Sequence, residues 1–198
     1  FSFFLLFLYY LWNKWKNIIN IDKYVNEENE YSRCQIDIST KWNNLEPSNR
    51  KDISNIRIAS FDIECISYQA KITHKNIFPN HQKENDKITQ IGITFYDYAT
   101  KQRVEYIATN KANNDIKMHS DKFIIDEYDN EKEVILGWIN TMKKMDPDII
   151  MGYNSNNFDW KYIYERCKFL NIELYLFKMS RLHDYPSKWI ADQKLSSS

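Results

Sequence analysis

The chain has 198 residues, of which 27 are Lys or Arg and 27 are Asp or Glu, so its formal net charge at pH 7 is zero. That length holds one full domain and part of another. The even balance excludes a basic field spread over the whole molecule, though a local basic groove remains compatible with it. Cys34, Cys65 and Cys167 are odd in number and widely spaced, which excludes a disulfide framework and a zinc site and points to a reducing compartment.

In chain order, Phe1 to Trp12 is an apolar and aromatic run. It is shorter than the about 20 residues that cross a bilayer, and it lacks the basic start and cleavage site of a signal peptide. It reads as a buried strand or helix, with no membrane partner and no secretion expected. The first residue is not Met, and Lys194 to Ser198 carries no sign of a domain end, so both ends read as cuts. Asn20 to Arg33 is polar and acid-rich and reads as a surface connection. Gln35 to Ile38 is a weak strand signal. Glu46 to Asn55 is polar and contains Pro47, and is the expected boundary between a preceding module over 1–50 and a domain over 51–198.

Ile56 to Glu64 alternates with period two and reads as a strand. Tyr68 to Lys87 reads as a long loop. Ile88 to Tyr96 and Arg103 to Ala108 are rich in β-branched and aromatic residues and read as strands. Asn130 is placed as an N-cap with Glu133 reaching back, and Ile135, Trp138, Ile139 and Met142 then follow helical spacing with Trp138 in the core. Asp146-Pro147 ends that helix, Asp148 to Met151 reads as a short strand, and Asp159 to about Leu170 reads as a second helix. The order strand, strand, strand, helix, strand, helix suits a mixed sheet flanked by helices, an α/β fold.

On the first strand, Asp62 and Glu64 are two residues apart, so both carboxylates share one face while Phe61, Ile63 and Cys65 point to the core. Paired carboxylates repel and favour the neutral form unless a cation lies between them or both face water. Hard oxygen donors of this kind suit Mg²⁺ or Mn²⁺. Taken alone, the pair fits two solvent-facing acids on a half-buried strand better than it fits a metal site. Asp159 follows a short strand and a polar turn. It reads either as a helix N-cap or as a third acid at the carboxyl end of a strand, where ligands bind in α/β sheets. Asn154 reads as a turn former or as a hydrogen-bonding group, and Phe158 as a core residue or as an aromatic contact.

Ser60-Phe61-Asp62-Ile63-Glu64-Cys65 resembles the first exonuclease motif of family B DNA polymerases. Gly152-Tyr153-Asn154-Ser155-Asn156-Asn157-Phe158-Asp159 resembles the second, an Asn, three intervening residues, then Phe-Asp. Asp146 to Ile150, Ile77-Phe78-Pro79, Ile88 to Ile91, Gln35 to Trp42 and the terminal Lys194 to Ser198 are similar to delta-type and large-virus members. The resemblance implies an RNase H-like (DnaQ-like) domain, truncated at its C-terminal end and preceded by part of the polymerase N-terminal domain. It implies proofreading 3′→5′ hydrolysis of DNA with two Mg²⁺ or Mn²⁺ ions. Asp62, Glu64 and Asp159 are then the catalytic residues and metal ligands, with Glu64 also orienting water, and Asn154 and Phe158 bind the frayed 3′ end. It further implies dNTPs only through the polymerase core, a sliding clamp or other processivity factor as partner, and work in the nucleus or at a viral replication site.

The family's third motif, a Tyr followed four positions later by Asp, has no counterpart after Asp159: Tyr185 is followed there by Trp189. The fragment alone is therefore expected to neither polymerise nor degrade DNA efficiently. The competing readings are a stand-alone RNase H-like nuclease and an inactivated exonuclease-fold binding module. His74, His81, His119 and His183 lack ligand spacing and read as surface residues, and Lys143-Lys144 reads as a solvated helix face. Arg181 falls where family members carry an Arg in a turn, with no role arguable from the residues.

Overall fold

The computed structural model describes residues 16–19, 21, 23–24, 32–34, 37–51, 55–111, 123–182 and 187–188. The run Phe1 to Trp12, His119, His183 and the Tyr185–Trp189 comparison lie outside them. The chain forms two compact units, one of residues 1–54 with 180–186 and the other of 55–179 with 187–198.

In the first unit, β1 (Lys16–Ile18) pairs antiparallel with β4 (Leu45–Pro47), and β2 (Lys23–Tyr24) pairs antiparallel with β3 (Ile38–Ser39). A 3₁₀ turn, Trp42–Asn44, leads into β4. Ser32 bridges Leu182, and its N–H and hydroxyl both donate to Asp37 at 2.9 and 2.6 Å. The short strand β2 falls in the segment expected to be a plain connection. Two-residue strands carry too little alternation to be legible.

The second unit is built on a five-stranded sheet in the order β8-β7-β6-β5-β9. Its strands are β5 (Arg57–Cys65), β6 (Ile88–Asp97), β7 (Arg103–Thr109), β8 (Ile124–Glu127) and β9 (Ile149–Met151). β5–β6 and β6–β7 are antiparallel, whereas β5–β9 and β7–β8 are parallel. Alternation decides which side chains are buried. Ala59, Phe61 and Ile63 of β5, Ile91, Ile93 and Phe95 of β6, and Tyr106 and Ala108 of β7 face one core. Two helices pack on that face: α2 (Glu131–Met145) through Val134, Ile135, Trp138, Ile139 and Met142, and α3 (Asp159–Phe169) through Tyr162, Ile163 and Cys167. Trp138, Trp160 and Phe61 stack at their junction, with centroids 4.8 to 5.8 Å apart.

The sequence logic of α2 is visible at both ends. Asn130 accepts from the Glu133 N–H at 3.0 Å, and the Glu133 carboxylate reaches back to the Asp129 N–H at 3.1 Å. Asp146 closes the helix in the left-handed region at φ 47°.

In this second unit three elements escaped the sequence reading. The expected loop Tyr68–Lys87 begins with a helix, α1 (Tyr68–Thr73), capped by Ser67, which accepts from the Ala70 N–H at 3.2 Å. β8 and α4 (Glu173–Phe177) are four and five residues long. Each spans about one period or less of an apolar pattern, so only packing distinguishes it from loop. His81 is half-buried against the Tyr162 ring rather than at the surface, and Lys143 is half-buried while Lys144 is exposed.

Candidate functional site

β5 carries Asp62 and Glu64 on its exposed face, between buried Phe61 and Ile63 and half-buried Cys65. Asp62 stands opposite Gly92 of β6, and Glu64 opposite Gln90. On its other side β5 is paired with β9 only from Ile58 to Ser60. Beyond Ser60 the backbone of β5 has no strand there, and the turn after β9 takes that place.

Gly152 opens this turn. A Cβ on it would stand 2.8 Å from the Phe61 carbonyl oxygen and 2.9 Å from the Ser155 Cβ, so only glycine lets the chain pass this close to β5. Asn154 adopts φ 52°, and its carbonyl accepts from the N–H groups of Asn157 and Phe158 at 3.0 and 3.3 Å. Its side-chain oxygen accepts from the Asn157 amide at 2.7 Å. Asn154 is thus a turn former here. Phe158, not Asp159, occupies the N-cap position of α3. The Phe158 ring is half-buried, 5.2 Å from Phe78 and 5.4 Å from Tyr162.

Asp159 is the first helical residue, 3% exposed, and its Oδ1 accepts from the Ile63 N–H at 3.4 Å. It therefore docks on the residue between Asp62 and Glu64. Burial pushes the Asp159 carboxyl above the ordinary carboxylate range. The neighbouring Asp62 carboxylate and a hydrogen bond with it add to the rise, against backbone N–H bonds that lower it. The structure brings Asp62 and Asp159 together and leaves Glu64 on the same face, outside that pair. Among the described residues no group of three His, Cys, Asp or Glu converges as a metal cage. With like charges only, nothing draws a third carboxylate inward. The Cys65 thiol is held well above its usual range, first by burial and then by Glu131, Glu64 and Asp159, so it stays a neutral thiol and not a thiolate ligand.

Two oxygen donors of the same sign, one buried, with no cationic side chain bonded to either among the described residues, have the chemistry of a hard divalent-ion site. Asp62 and Asp159, with Glu64 beside them, fit Mg²⁺ or Mn²⁺.

A polar cluster not read from the sequence ties this site to the loop after α1. Arg166, two turns along α3 from Asp159, is 1% exposed. It donates to Glu131 at 2.8 and 2.5 Å and to the carbonyls of His81 and Lys83 at 2.8 and 2.9 Å. Glu131 also accepts from the Ile88 N–H at 2.8 Å. Buried Asp86 accepts from the N–H groups of Tyr68 and Asn80, both at 2.8 Å, and its carbonyl accepts from the Tyr162 hydroxyl at 3.0 Å. Phe78, presented by this loop, is 74% exposed beside Phe158, and Tyr153 is 96% exposed. Charged residues on separate elements give no local signal of such a network.

The antiparallel–antiparallel–parallel arrangement around β5, with acids on β5 and at the start of α3, defines an RNase H-like α/β domain of the exonuclease type. The chain belongs to the DNA polymerase family B exonuclease-domain family, whose model matches residues 11–195. It is 35% identical over 139 residues to a DNA polymerase of Acanthamoeba polyphaga mimivirus, covering 69% of this chain and 7% of that protein. It is 32% identical over 161 residues to the DNA polymerase delta catalytic subunit of Candida albicans, covering 79% of this chain and 14% of that protein. A solved family B DNA polymerase from Pyrobaculum calidifontis matches with 23% identity and a TM-score of 0.42, over 69% of this chain and 14% of that one. The chain thus spans a small share of each relative.

Proposed function

We propose that this chain is the proofreading 3′→5′ exonuclease region of a family B DNA polymerase, with residues 1–50 contributing the end of the N-terminal domain. The observation that carries the reading is the docking of the buried Asp159 carboxylate onto the strand residue between Asp62 and Glu64. Asp62, Glu64 and Asp159 would hold two divalent ions. When bound, such ions stabilise the attacking and leaving oxygens of phosphodiester hydrolysis and lower the pKa of water. The protein's own contribution is positional. β5 fixes the spacing of two acids, and the tight passage at Gly152 fixes the start of α3 and hence the third. Glu64, exposed on the same strand face, would orient the attacking water. Asn154 and Phe158 would contact the single-stranded 3′ end, and exposed Phe78 extends the aromatic surface that Phe158 begins.

The parent protein would polymerise DNA from dNTPs through a separate core and work with a processivity factor, in the nucleus or at a viral replication site. Among the described residues no helix is long and apolar enough to cross a membrane. The reading is tested by excision of a 5′-labelled oligonucleotide by the full-length polymerase in Mg²⁺. Asp62→Ala and Asp159→Ala should each lower the rate more than about 100-fold, beyond the usual cost of losing a residue that merely orients a metal ligand. Polymerisation should be retained. Calorimetric Mn²⁺ titration of this chain should show weakened binding in Asp62→Ala, and full excision by that variant would sink the reading.

A further inference from the structure

The acids of the candidate site attract metal ions but repel the rest of a nucleic-acid strand, which carries a negative charge at every phosphate. Compensating charge lies in residues 66–87, the segment that leaves the end of β5 just past Glu64 and returns into β6. Its basic side chains are Lys71, Lys75, Lys83 and Lys87, and its acids are Glu84 and Asp86. Asp86 is 1% exposed and is answered by the Tyr68 and Asn80 N–H groups, so it adds little to the surface charge. The lysines are all exposed, and none forms an ion pair among the described residues. In a chain of zero net charge this is a local excess of positive charge.

The segment lies at the surface, yet its backbone is tied down at several points. The Ile66 N–H donates to the Lys87 carbonyl at 2.9 Å and joins its two ends. Buried Arg166 holds the carbonyls of His81 and Lys83 at 2.8 and 2.9 Å. A backbone fixed in advance lowers the cost of ordering when its side chains engage a ligand. Between the lysines the segment presents Phe78, 74% exposed and edge-on to Phe158 at 5.2 Å. Cations interleaved with an exposed aromatic ring suit a single strand, whose phosphates meet the cations while a base face meets the ring. An acidic protein would engage the lysines too, but the exposed ring and the direct continuation from the strand bearing Asp62 and Glu64 favour DNA. We propose that residues 66–87 form a rim that binds the phosphate backbone of the single strand upstream of its 3′-terminal nucleotide, through Lys71, Lys75, Lys83 and Lys87. This rests on the exonuclease reading above.

The test is steady-state excision by the full-length polymerase on a 5′-labelled trinucleotide and on a single strand of about 12 nucleotides, within the usual site sizes for single strands. With Lys71→Gln, Lys75→Gln, Lys83→Gln and Lys87→Gln combined, KM for the longer strand should rise roughly tenfold or more at low salt. The slope of log KM against log salt concentration should fall by about 0.7 for each lysine removed. KM for the trinucleotide, and kcat for both substrates, should stay unchanged. Arg at the same positions keeps the charge and should preserve the slope. An unchanged slope for the longer strand in the Gln variant overturns the rim and leaves the lysines to another partner, such as an acidic protein. An equal rise in KM for the trinucleotide also overturns it, by placing the lysines at the terminal nucleotide. Failure of the exonuclease reading shows separately, as undiminished excision of the trinucleotide by Asp62→Ala.

Discussion

Two clusters of charge lie at either end of α3, and they are built on opposite principles. Around Arg166 every charged group is buried and answered: Glu131 by Arg166 and the Ile88 N–H, Arg166 also by two carbonyls, Asp86 by two N–H groups. Around Asp159 the acids have one sign, and its carboxylate is met by backbone N–H groups, that of Ile63 at 3.4 Å, with no ion pair among the described residues. Buried charge is tolerated where donors meet it, and the first cluster accordingly holds the loop between α1 and β6 in place. The second sets like charges side by side, and the cation site proposed above rests on that arrangement.

The contrast can be broken from either side. The largest effect is expected at the lock. Arg166→Met leaves Glu131 buried and unpaired, and should cost about 3–5 kcal/mol in urea denaturation. Adding Glu131→Leu should recover only part of this, because the Ile88 N–H and the carbonyls of His81 and Lys83 still lose their partners. Full recovery would show that the network is dispensable to the fold.

Next comes the passage that sets the acid cluster. Gly152→Ala forces a Cβ against the Phe61 carbonyl and should cost about 1–3 kcal/mol, as overpacking does. Because the displaced turn leads into Asp159, Mn²⁺ affinity should fall with stability, whereas Arg166-side variants that remain folded should lose stability first.

The smallest effect is at Asp159 itself. Its carboxyl is raised in the folded protein, so its favourable contribution is complete below the unfolded-state range, about pH 4, and is lost as pH rises through the raised value. In EDTA at pH 7, Asp159→Asn should therefore raise Tm, and the gain should vanish below about pH 4. In saturating Mg²⁺ the order should reverse, since only the parent gains stability from binding. A Tm lowered by Asp159→Asn in EDTA at pH 7 would count against the repulsive arrangement.

Much of this domain is legible from residues taken in order. Period-two alternation at Ile56 to Glu64, β-branched and aromatic residues at Ile88 to Tyr96, helical spacing after a capping box at Asn130, and the stop at Asp146-Pro147 are local signals, and the strands Arg57–Cys65 and Ile88–Asp97 and the helix Glu131–Met145 formed there within a residue or so. The common face of Asp62 and Glu64 follows from the same alternation. Asp159 was legible as an acid at a helix start, but its position one place inside the helix, with Phe158 as cap, depends on how the turn packs against β5.

What the sequence by itself determined is the set of strong periodic elements and the row of acids on one of them, because periodicity is a property of neighbours along the chain. Only the tertiary structure decided that Asp159 meets Asp62, that Glu64 stays apart, that Arg166 reaches Glu131 across 35 positions, and that Gly92 lies open while Gly152 is crowded. Those outcomes depend on groups distant in sequence coming within a few ångströms, and burial and charge complementarity settle them once the sheet and its helices have packed.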